Sequence, residues 1–146
     1  SSTRNLLPLD ASGAVGREQL DRLRTLCGKL DPGPRVLVTH YPLRTAHAEV
    51  EHRNHRLRDY VAVTAAAAGC GIGLWLHGHI HKPFVLQGLA AVPFPVVCGG
   101  SATQTNRWSY GEYAIDGDAV TGVRREFHPE TGEFRDVEQF ELRMPG

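Results

Sequence analysis

Three histidines stand close behind apolar segments of the chain, where they could act together as metal ligands. His40 follows residues 36–39, and a second apolar run leads into His77-Gly78-His79-Ile80-His81. Neutral imidazole is a common ligand for transition metals, and the loops that follow strands carry functional groups in α/β folds. With one residue between them, His79 and His81 can point to the same side of an extended segment. The pattern predicts a metal site formed by His40, His79 and His81; the alternative is a buried polar cluster or a plain surface turn.

The elements that must position these histidines follow from the hydrophobic periodicity. Residues 16–30 have a helical period, and Asp31-Pro32-Gly33-Pro34 ends that helix because proline lacks the amide donor. Its apolar stripe contains Leu20, Leu23, Leu26, Cys27 and Leu30. Two buried strands are predicted at residues 35–39 and 72–76, with a polar loop at 41–55 between them. A second helix is capped by Gly69, and its predicted apolar face contains Leu57, Tyr60, Val61, Thr64, Ala65 and Ala68.

The rest of the chain predicts β-structure. Strands are expected at residues 83–89, 95–98, 110–115, 120–127 and 134–142. The Asp116-Gly117 pair between two of them is a strong hairpin signal. The order of helix, strand, helix, strand and then an antiparallel run predicts an α/β fold with antiparallel C-terminal strands.

The composition is that of a globular protein with one domain. The 146 residues are 41% apolar and 22% charged, and the formal net charge is zero. Zero net charge gives no electrostatic reason to expect nucleic acid or an anionic membrane surface as a partner. No apolar run approaches the roughly 20 residues that cross a bilayer. The three widely spaced cysteines indicate buried thiols in a reducing compartment, so we expect a cytoplasmic location.

The two histidine segments resemble the last two motifs of the calcineurin-like metallophosphoesterases. They are Val36-Leu37-Val38-Thr39-His40-Tyr41-Pro42 and Leu76-His77-Gly78-His79-Ile80-His81. The segment from Gly13 to Leu20 is similar to a Gly-x-x-x-x-Gln-Leu helix in the branch of the family that is like cyclic-nucleotide phosphodiesterases. Residues 96–103 are similar to the strand and loop that follow the paired histidines of the family. The similarity spans roughly residues 1–127, and the two histidine motifs are its specific part.

This resemblance implies a fold and a chemistry. The fold would be the C-terminal half of a four-layer α/β/β/α sandwich with a mixed sheet, so that residues 1–146 form the C-terminal portion of a single domain. His40 and His79 would bind the second ion of a dinuclear centre, and His81 the first. The two ions, manganese, iron, zinc or nickel, would activate a bridging hydroxide that hydrolyses a phosphomonoester or phosphodiester.

The acidic motifs of the family are missing from the chain. The resemblance implies an Asp-x-His, a Gly-Asp-x-x-Asp and a Gly-Asn-His-Asp or Glu upstream of His40, where the chain has only Asp10, Asp21 and Asp31 as aspartates. We therefore expect hydrolysis in the complete domain, with the N-terminal half of that domain or a self-associated copy as partner. The alternative is a non-catalytic half-domain that acts as an interaction or regulatory module with at most one bound metal. A metal-free acid–base enzyme is a third hypothesis with less support, because no matching carboxylate stands nearby.

Further residues are assigned around the three predicted ligands. His77 is predicted to assist catalysis by donating a hydrogen bond to a ligand or to phosphate, or else to be a structural histidine at a strand end. Arg44 and Asn106 are candidates for binding the phosphoester substrate. The histidines of the polar loop, His47, His52 and His55, are expected to lie in solvent; the alternative is that this loop overhangs the substrate.

Overall fold

A computed structural model describes residues 10–106 and 108–145 of the chain. Within these residues there are two helices, α1 (Arg17–Cys27) and α2 (Tyr60–Gly69), and seven strands. The strands are β1 (Val36–Thr39), β2 (Leu74–His77), β3 (Phe84–Leu86), β4 (Val96–Cys98), β5 (Ser109–Asp116), β6 (Ala119–His128) and β7 (Glu133–Arg143). The irregular segment that precedes α1 lies partly outside the described residues.

The first four strands form a mixed sheet in the order β1-β2-β4-β3. Strands β1, β2 and β4 are parallel, so their carboxyl ends lie at one edge, and β3 is antiparallel to β4. Parallel strands need crossover connections, and the segment that contains α2 supplies the one between β1 and β2. This arrangement places residue 40 and the loop after residue 77 at the same end of neighbouring strands.

The last three strands form an antiparallel sheet in the order β5-β6-β7. The predicted hairpin is present: Asp116 pairs with Ala119, and Gly117 has a φ of 60°, which a glycine adopts without steric cost. The register shifts between Arg124 and Arg125, which is a bulge in the β6–β7 pairing.

The layers are helix, mixed sheet and antiparallel sheet. One core lies between the helices and the mixed sheet, and it includes Leu20, Val63, Ala67, Trp75 and Val96. A second core lies between the two sheets, and it includes Leu74, Val97, Val120, Leu142 and Met144. The predicted α/β class with a mixed sheet and antiparallel C-terminal strands is confirmed.

Three local predictions of burial were wrong. Strand β1 is an edge strand, and Val38 is 70% exposed because nothing among the described residues covers that side of it. On α1, Leu26 of the predicted stripe is exposed, whereas Leu20 and Cys27 are buried; the helix ends at Cys27, so Leu30 lies beyond it and is also exposed. On α2, the buried residues are Val63, Ala66 and Ala67, and Val61 is 66% exposed. The run of alanines gives this helix little hydrophobic contrast, so its sequence does not specify which face is buried.

No helix among the described residues is long and apolar enough to cross a membrane.

Candidate functional site

Two of the three predicted ligands meet at the carboxyl ends of β1 and β2. The Nε2 atom of His40 lies 3.1 Å from the Nδ1 atom of His79, a hydrogen bond in which one ring donates and the other accepts. The ring centroids are 5.0 Å apart and the rings are close to perpendicular. The ring of Tyr41 packs against His79 with a centroid distance of 4.8 Å. The parallel pairing of β1 with β2 therefore brings His40 and His79 together.

The backbone at this site is held by hydrogen bonds between the two strands. The amide of Gly78 donates to the carbonyl of His40 at 3.2 Å, which extends the β1–β2 ladder into the loop. Below it, the indole nitrogen of Trp75 donates to the hydroxyl of Thr39 at 2.9 Å. The same hydroxyl donates to the carbonyl of Tyr41, also at 2.9 Å. The fully buried Trp75 thus orients the turn that carries His40.

The surroundings of His79 favour its neutral form. Partial burial lowers the pKa of its imidazole, and the neighbouring rings of His40 and His55 lower it further. A neutral imidazole has a lone pair available, which is the state that binds a metal ion. The electrostatics of His79 are therefore those of a potential ligand.

The third predicted ligand does not join this pair. The Nδ1 atom of His81 hydrogen-bonds with the Oε1 atom of Gln104 at 3.2 Å. His79 and His81 have φ values of 68° and 59°, so the loop is not extended and the two rings do not follow the alternation of a strand. Over residues 10–106 and 108–145, no group of three or more His, Cys, Asp or Glu side chains is arranged to hold a metal ion.

A dinuclear centre does not fit the donors present in the described chain. Two ions with a shared hydroxide need several ligands each, including carboxylates that offset their charge. The site provides two imidazoles that are hydrogen-bonded to each other. The negative charge of Glu51 raises the pKa of His79, but it is the smallest of the influences on that pKa. These two side chains support at most a single metal ion, which would replace the hydrogen atom between the rings of His40 and His79.

His77 points into the protein. Its side chain is buried, its Nδ1 atom hydrogen-bonds with the carbonyl of Gly78 at 2.9 Å, and its ring lies 5.3 Å from that of Phe84. Its Nε2 atom has no hydrogen-bond partner within the described part of the chain. Burial lowers the pKa of His77 to about 4, so the ring is neutral near pH 7. In this position His77 supports the strand end, and the catalytic role predicted for it stays a prediction.

The two predicted substrate-binding residues lie in different places. The guanidinium of Arg44 stacks on the ring of Tyr60 at 5.2 Å and donates to the carbonyl of Leu43. Asn106 lines a cavity of about 250 Å³ together with His81, Lys82 and Trp108. Asn106 thus shares this cavity with His81, one of the predicted ligands.

Sequence reasoning missed two residues that contact the predicted ligands. Tyr41 was considered only as part of the motif, yet its ring packs on His79. His55 is exposed, as expected, and its ring lies 6.3 Å from that of His79. Gln104 fixes the ring of His81. No local pattern in the sequence indicates the contacts of Tyr41 and Gln104.

Comparison with known proteins gives similarity to solved structures only. No protein-family model matches the sequence, and no curated protein matches it. Vps29 from Chaetomium thermophilum is 16% identical with a TM-score of 0.46, over 61% of this chain and 50% of that one. Vps29 from Cryptosporidium parvum is 16% identical with a TM-score of 0.42, over 60% and 46%. Wild-type Vps29 from Entamoeba histolytica, solved in complex with Zn²⁺, is 16% identical with a TM-score of 0.41, over 58% and 48%.

The chain therefore spans about half the length of these Vps29 proteins. Its own architecture, a mixed sheet packed between helices and an antiparallel sheet, is consistent with a metallophosphoesterase-like fold.

Proposed function

We propose that the chain is an interaction module, which binds a β-strand of a partner polypeptide along the outer edge of β1. The observation that carries this proposal is the exposure of an apolar edge strand. Val36 and Val38 are 38% and 70% exposed, whereas their register partners on β2, Leu74 and Leu76, are covered by the antiparallel sheet. An added strand would pair with the backbone of β1 and cover both valines.

A cavity next to this edge would accept side chains of the partner. It has a volume of about 310 Å³, lies between α1 and β1, and its walls are mainly the apolar side chains of Leu20, Leu23, Leu37, Val38 and Val63. Its rim includes His40 and Tyr41. Apolar side chains that enter it would gain about 25 cal/mol per Å² of surface removed from water.

The chemistry at the end of β1 specifies the partner further. A strand paired with β1 would end beside His40 and His79, whose rings have no hydrogen-bonded carboxylate among the described residues. An apolar strand followed by Asp or Glu fits this site, because the strand would pair with the β1 edge and the carboxylate would face the two imidazoles. We therefore infer that the occupant is the N-terminal portion of a metallophosphoesterase-like domain, of which this chain is the C-terminal portion.

A strand peptide tests this function directly. A fluorescent peptide of about ten alternating Val and Thr residues that ends in Asp should bind, and Val38→Lys should weaken binding by roughly tenfold. The matched control is Val61→Lys, because Val61 is 66% exposed but lies on α2, and this variant should bind the peptide like the parent. Equal binding by the two variants would contradict the proposal.

Self-association is the alternative occupant, and it is measured separately. Analytical ultracentrifugation over a range of concentrations reports whether the protein dimerises. A dimer that Val38→Lys dissociates, and Val61→Lys does not, would identify a second copy as the strand donor.

A second candidate function is the hydrolysis of phosphomonoesters or phosphodiesters. The adjacent imidazoles of His40 and His79 favour it, because partial burial lowers the pKa of His79 and leaves its lone pair available. Two metal ions bound there would supply a hydroxide nucleophile and polarise the phosphoryl oxygens. Because the described donors do not fit two ions, we propose this activity only for the chain joined to a partner that provides carboxylates.

The assay for hydrolysis uses a chromogenic bis-phosphoester with added Mn²⁺. The chain alone should give no turnover, and turnover with a bound partner should disappear in His79→Ala. Turnover by the chain alone would instead show that it assembles a competent centre without carboxylates from another segment.

A further inference from the structure

The outer face of the antiparallel sheet carries a cluster of aromatic rings. Trp108 contacts Phe127 with a centroid distance of 5.2 Å, Phe127 contacts Phe134 at 5.3 Å, and Phe134 contacts Tyr110 at 5.0 Å. These four residues, called here the outer aromatic cluster, lie on the face opposite the one that packs against the mixed sheet. No described helix covers this face, and Phe134 is 45% exposed.

The sheet that presents this cluster is acidic. Residues 109–143 contain nine Asp and Glu residues but four Arg residues, although the whole chain has a formal charge of zero. The one arginine beside the cluster, Arg125, is already neutralised: it forms ion pairs with Glu112 at 2.9 Å and with Asp136 at 2.7 Å. Its guanidinium also donates to the hydroxyl of Tyr110. Beside the rings, two carboxylates stand against one guanidinium, and this net negative charge attracts positive charge.

Strand β7 offers an unpaired edge next to the cluster. It is 11 residues long and, among the described strands, pairs with β6 alone, so the amides and carbonyls on its other side have no strand partner. Phe134 and Asp136 project from β7 on the outer face. A second copy of β7 is disfavoured here, because pairing two such strands would bring carboxylates together. The acidic residues of β7 are Glu133, Asp136, Glu138 and Glu141, against Arg135 and Arg143.

We propose that the edge of β7 and the outer aromatic cluster bind an extended, basic peptide segment of a partner protein. The peptide would add as a strand to β7, and its Arg or Lys side chains would lie over the ring of Phe134 and share the carboxylate of Asp136 with Arg125. Three interactions combine in this mode: backbone hydrogen bonds, charge-assisted hydrogen bonds and cation–π contacts. The surface is separate from the β1 edge, which is apolar and attracts a different kind of segment.

Fluorescence anisotropy with labelled peptides tests this proposal. The probe is a peptide of about ten alternating Arg and Val residues, and the control peptide has Glu in place of Arg. The Arg peptide should bind at least roughly tenfold more tightly than the Glu peptide. Its affinity should fall several-fold when salt rises from about 0.05 M to about 0.3 M, because exposed charges are screened.

Variants of the protein locate the binding surface. Phe134→Ser and Asp136→Asn should each weaken binding of the Arg peptide by roughly three- to tenfold. Ile115→Ser is the matched control: this side chain is 39% exposed on the same sheet but faces the other side, so the variant should bind like the parent. Circular dichroism and thermal melting confirm that each variant is folded before it is compared.

Several results would overturn the proposal. An equal loss of affinity in Phe134→Ser and Ile115→Ser would show that the outer aromatic cluster does not contact the peptide. Equal affinity for the Arg and Glu peptides would show that charge does not contribute to binding. An Arg peptide N-methylated at alternate residues should bind more weakly, and unchanged affinity would exclude strand addition. A single-stranded oligonucleotide that binds more tightly than the Arg peptide would assign the surface to a different class of partner.

Discussion

The hydroxyl of Thr39 links the protein core to the turn that carries His40, and its removal should be measurable as a loss of stability. It accepts the indole hydrogen of Trp75 at 2.9 Å and donates to the carbonyl of Tyr41 at 2.9 Å. Trp75 is fully buried, so its indole nitrogen has no access to water as a substitute partner. Thr39→Val keeps the shape of the side chain and removes both hydrogen bonds.

The expected cost of Thr39→Val is about 2–3 kcal/mol of unfolding free energy. A buried donor left without a partner costs about 1–3 kcal/mol, and a lost hydrogen bond in general about 0.5–1.5 kcal/mol. The carbonyl of Tyr41 belongs to a half-buried residue that water can reach in part, so the indole nitrogen accounts for most of the loss. For a domain of this size the melting temperature should fall by about 4–10 °C.

Urea unfolding followed by far-UV circular dichroism measures this cost. Fluorescence is the wrong probe here, because the substitution changes the environment of Trp75 itself. A double-mutant cycle with Trp75→Phe then isolates the pair. Once the indole N–H has gone, Thr39→Val should cost only about 0.5–1 kcal/mol, because no buried donor is left unpaired.

Two outcomes would refute this reasoning. A loss below about 0.5 kcal/mol for Thr39→Val would mean that the indole N–H finds another partner. Strict additivity of the two substitutions would mean that their hydrogen bond contributes nothing to stability. Either result would also show that the hydrogen bond from Trp75 to Thr39 does not orient His40.

The remaining predictions concern the pH dependence, the packing and the metal affinity of the same region. Because burial holds the pKa of His77 near 4 against an ordinary 6.5, the folded state favours the neutral ring. This stability is present above pH 6.5 and is lost as the pH falls toward 4, by up to about 3 kcal/mol, and His77→Gln should flatten that slope in urea titrations. Gly13→Ala should destabilise the fold by about 1–3 kcal/mol and displace Tyr41 from His79, since the new methyl group would overlap the tyrosine ring; thermal melts and histidine NMR shifts report the two effects. Isothermal titration calorimetry of EDTA-treated protein should give at most one Zn²⁺, and His40→Ala or His79→Ala should abolish its binding; two bound ions would contradict the donor count.

The fold class and the proximity of His40 and His79 could be predicted from the sequence because both depend on local patterns. Apolar runs of strand length predicted β1 and β2, and parallel pairing of such strands brings His40 and the Gly78-His79 turn to one edge. The Asp116-Gly117 pair predicted the β5–β6 hairpin, since glycine takes the positive φ of the turn without strain. In each case residues within a few positions determine the outcome.

The missed features depend on neighbours that a local pattern does not contain. Val36 and Val38 have the composition of a buried strand, but their exposure depends on what lies beside β1. The alternation rule placed His79 and His81 on one side only for extended backbone, and both residues have a positive φ instead. Gln104 then holds His81 through a contact 23 residues distant in sequence. Side-chain convergence at a loop is a tertiary property, and spacing alone does not fix it.

The two unpaired edges of the molecule differ in a way that separates their partners. At β1 the contact surface is valine, and its association would be driven by removal of apolar area from water, which salt does not screen. At β7 the carboxylates supply a long-range electrostatic attraction. Added salt weakens this attraction, because it shortens the Debye length below about 10 Å. Raising the salt concentration should therefore release a basic peptide from β7 while a strand remains bound at β1. Because the two edges belong to different sheets, both partners can be bound at once, and the chain would then bridge them.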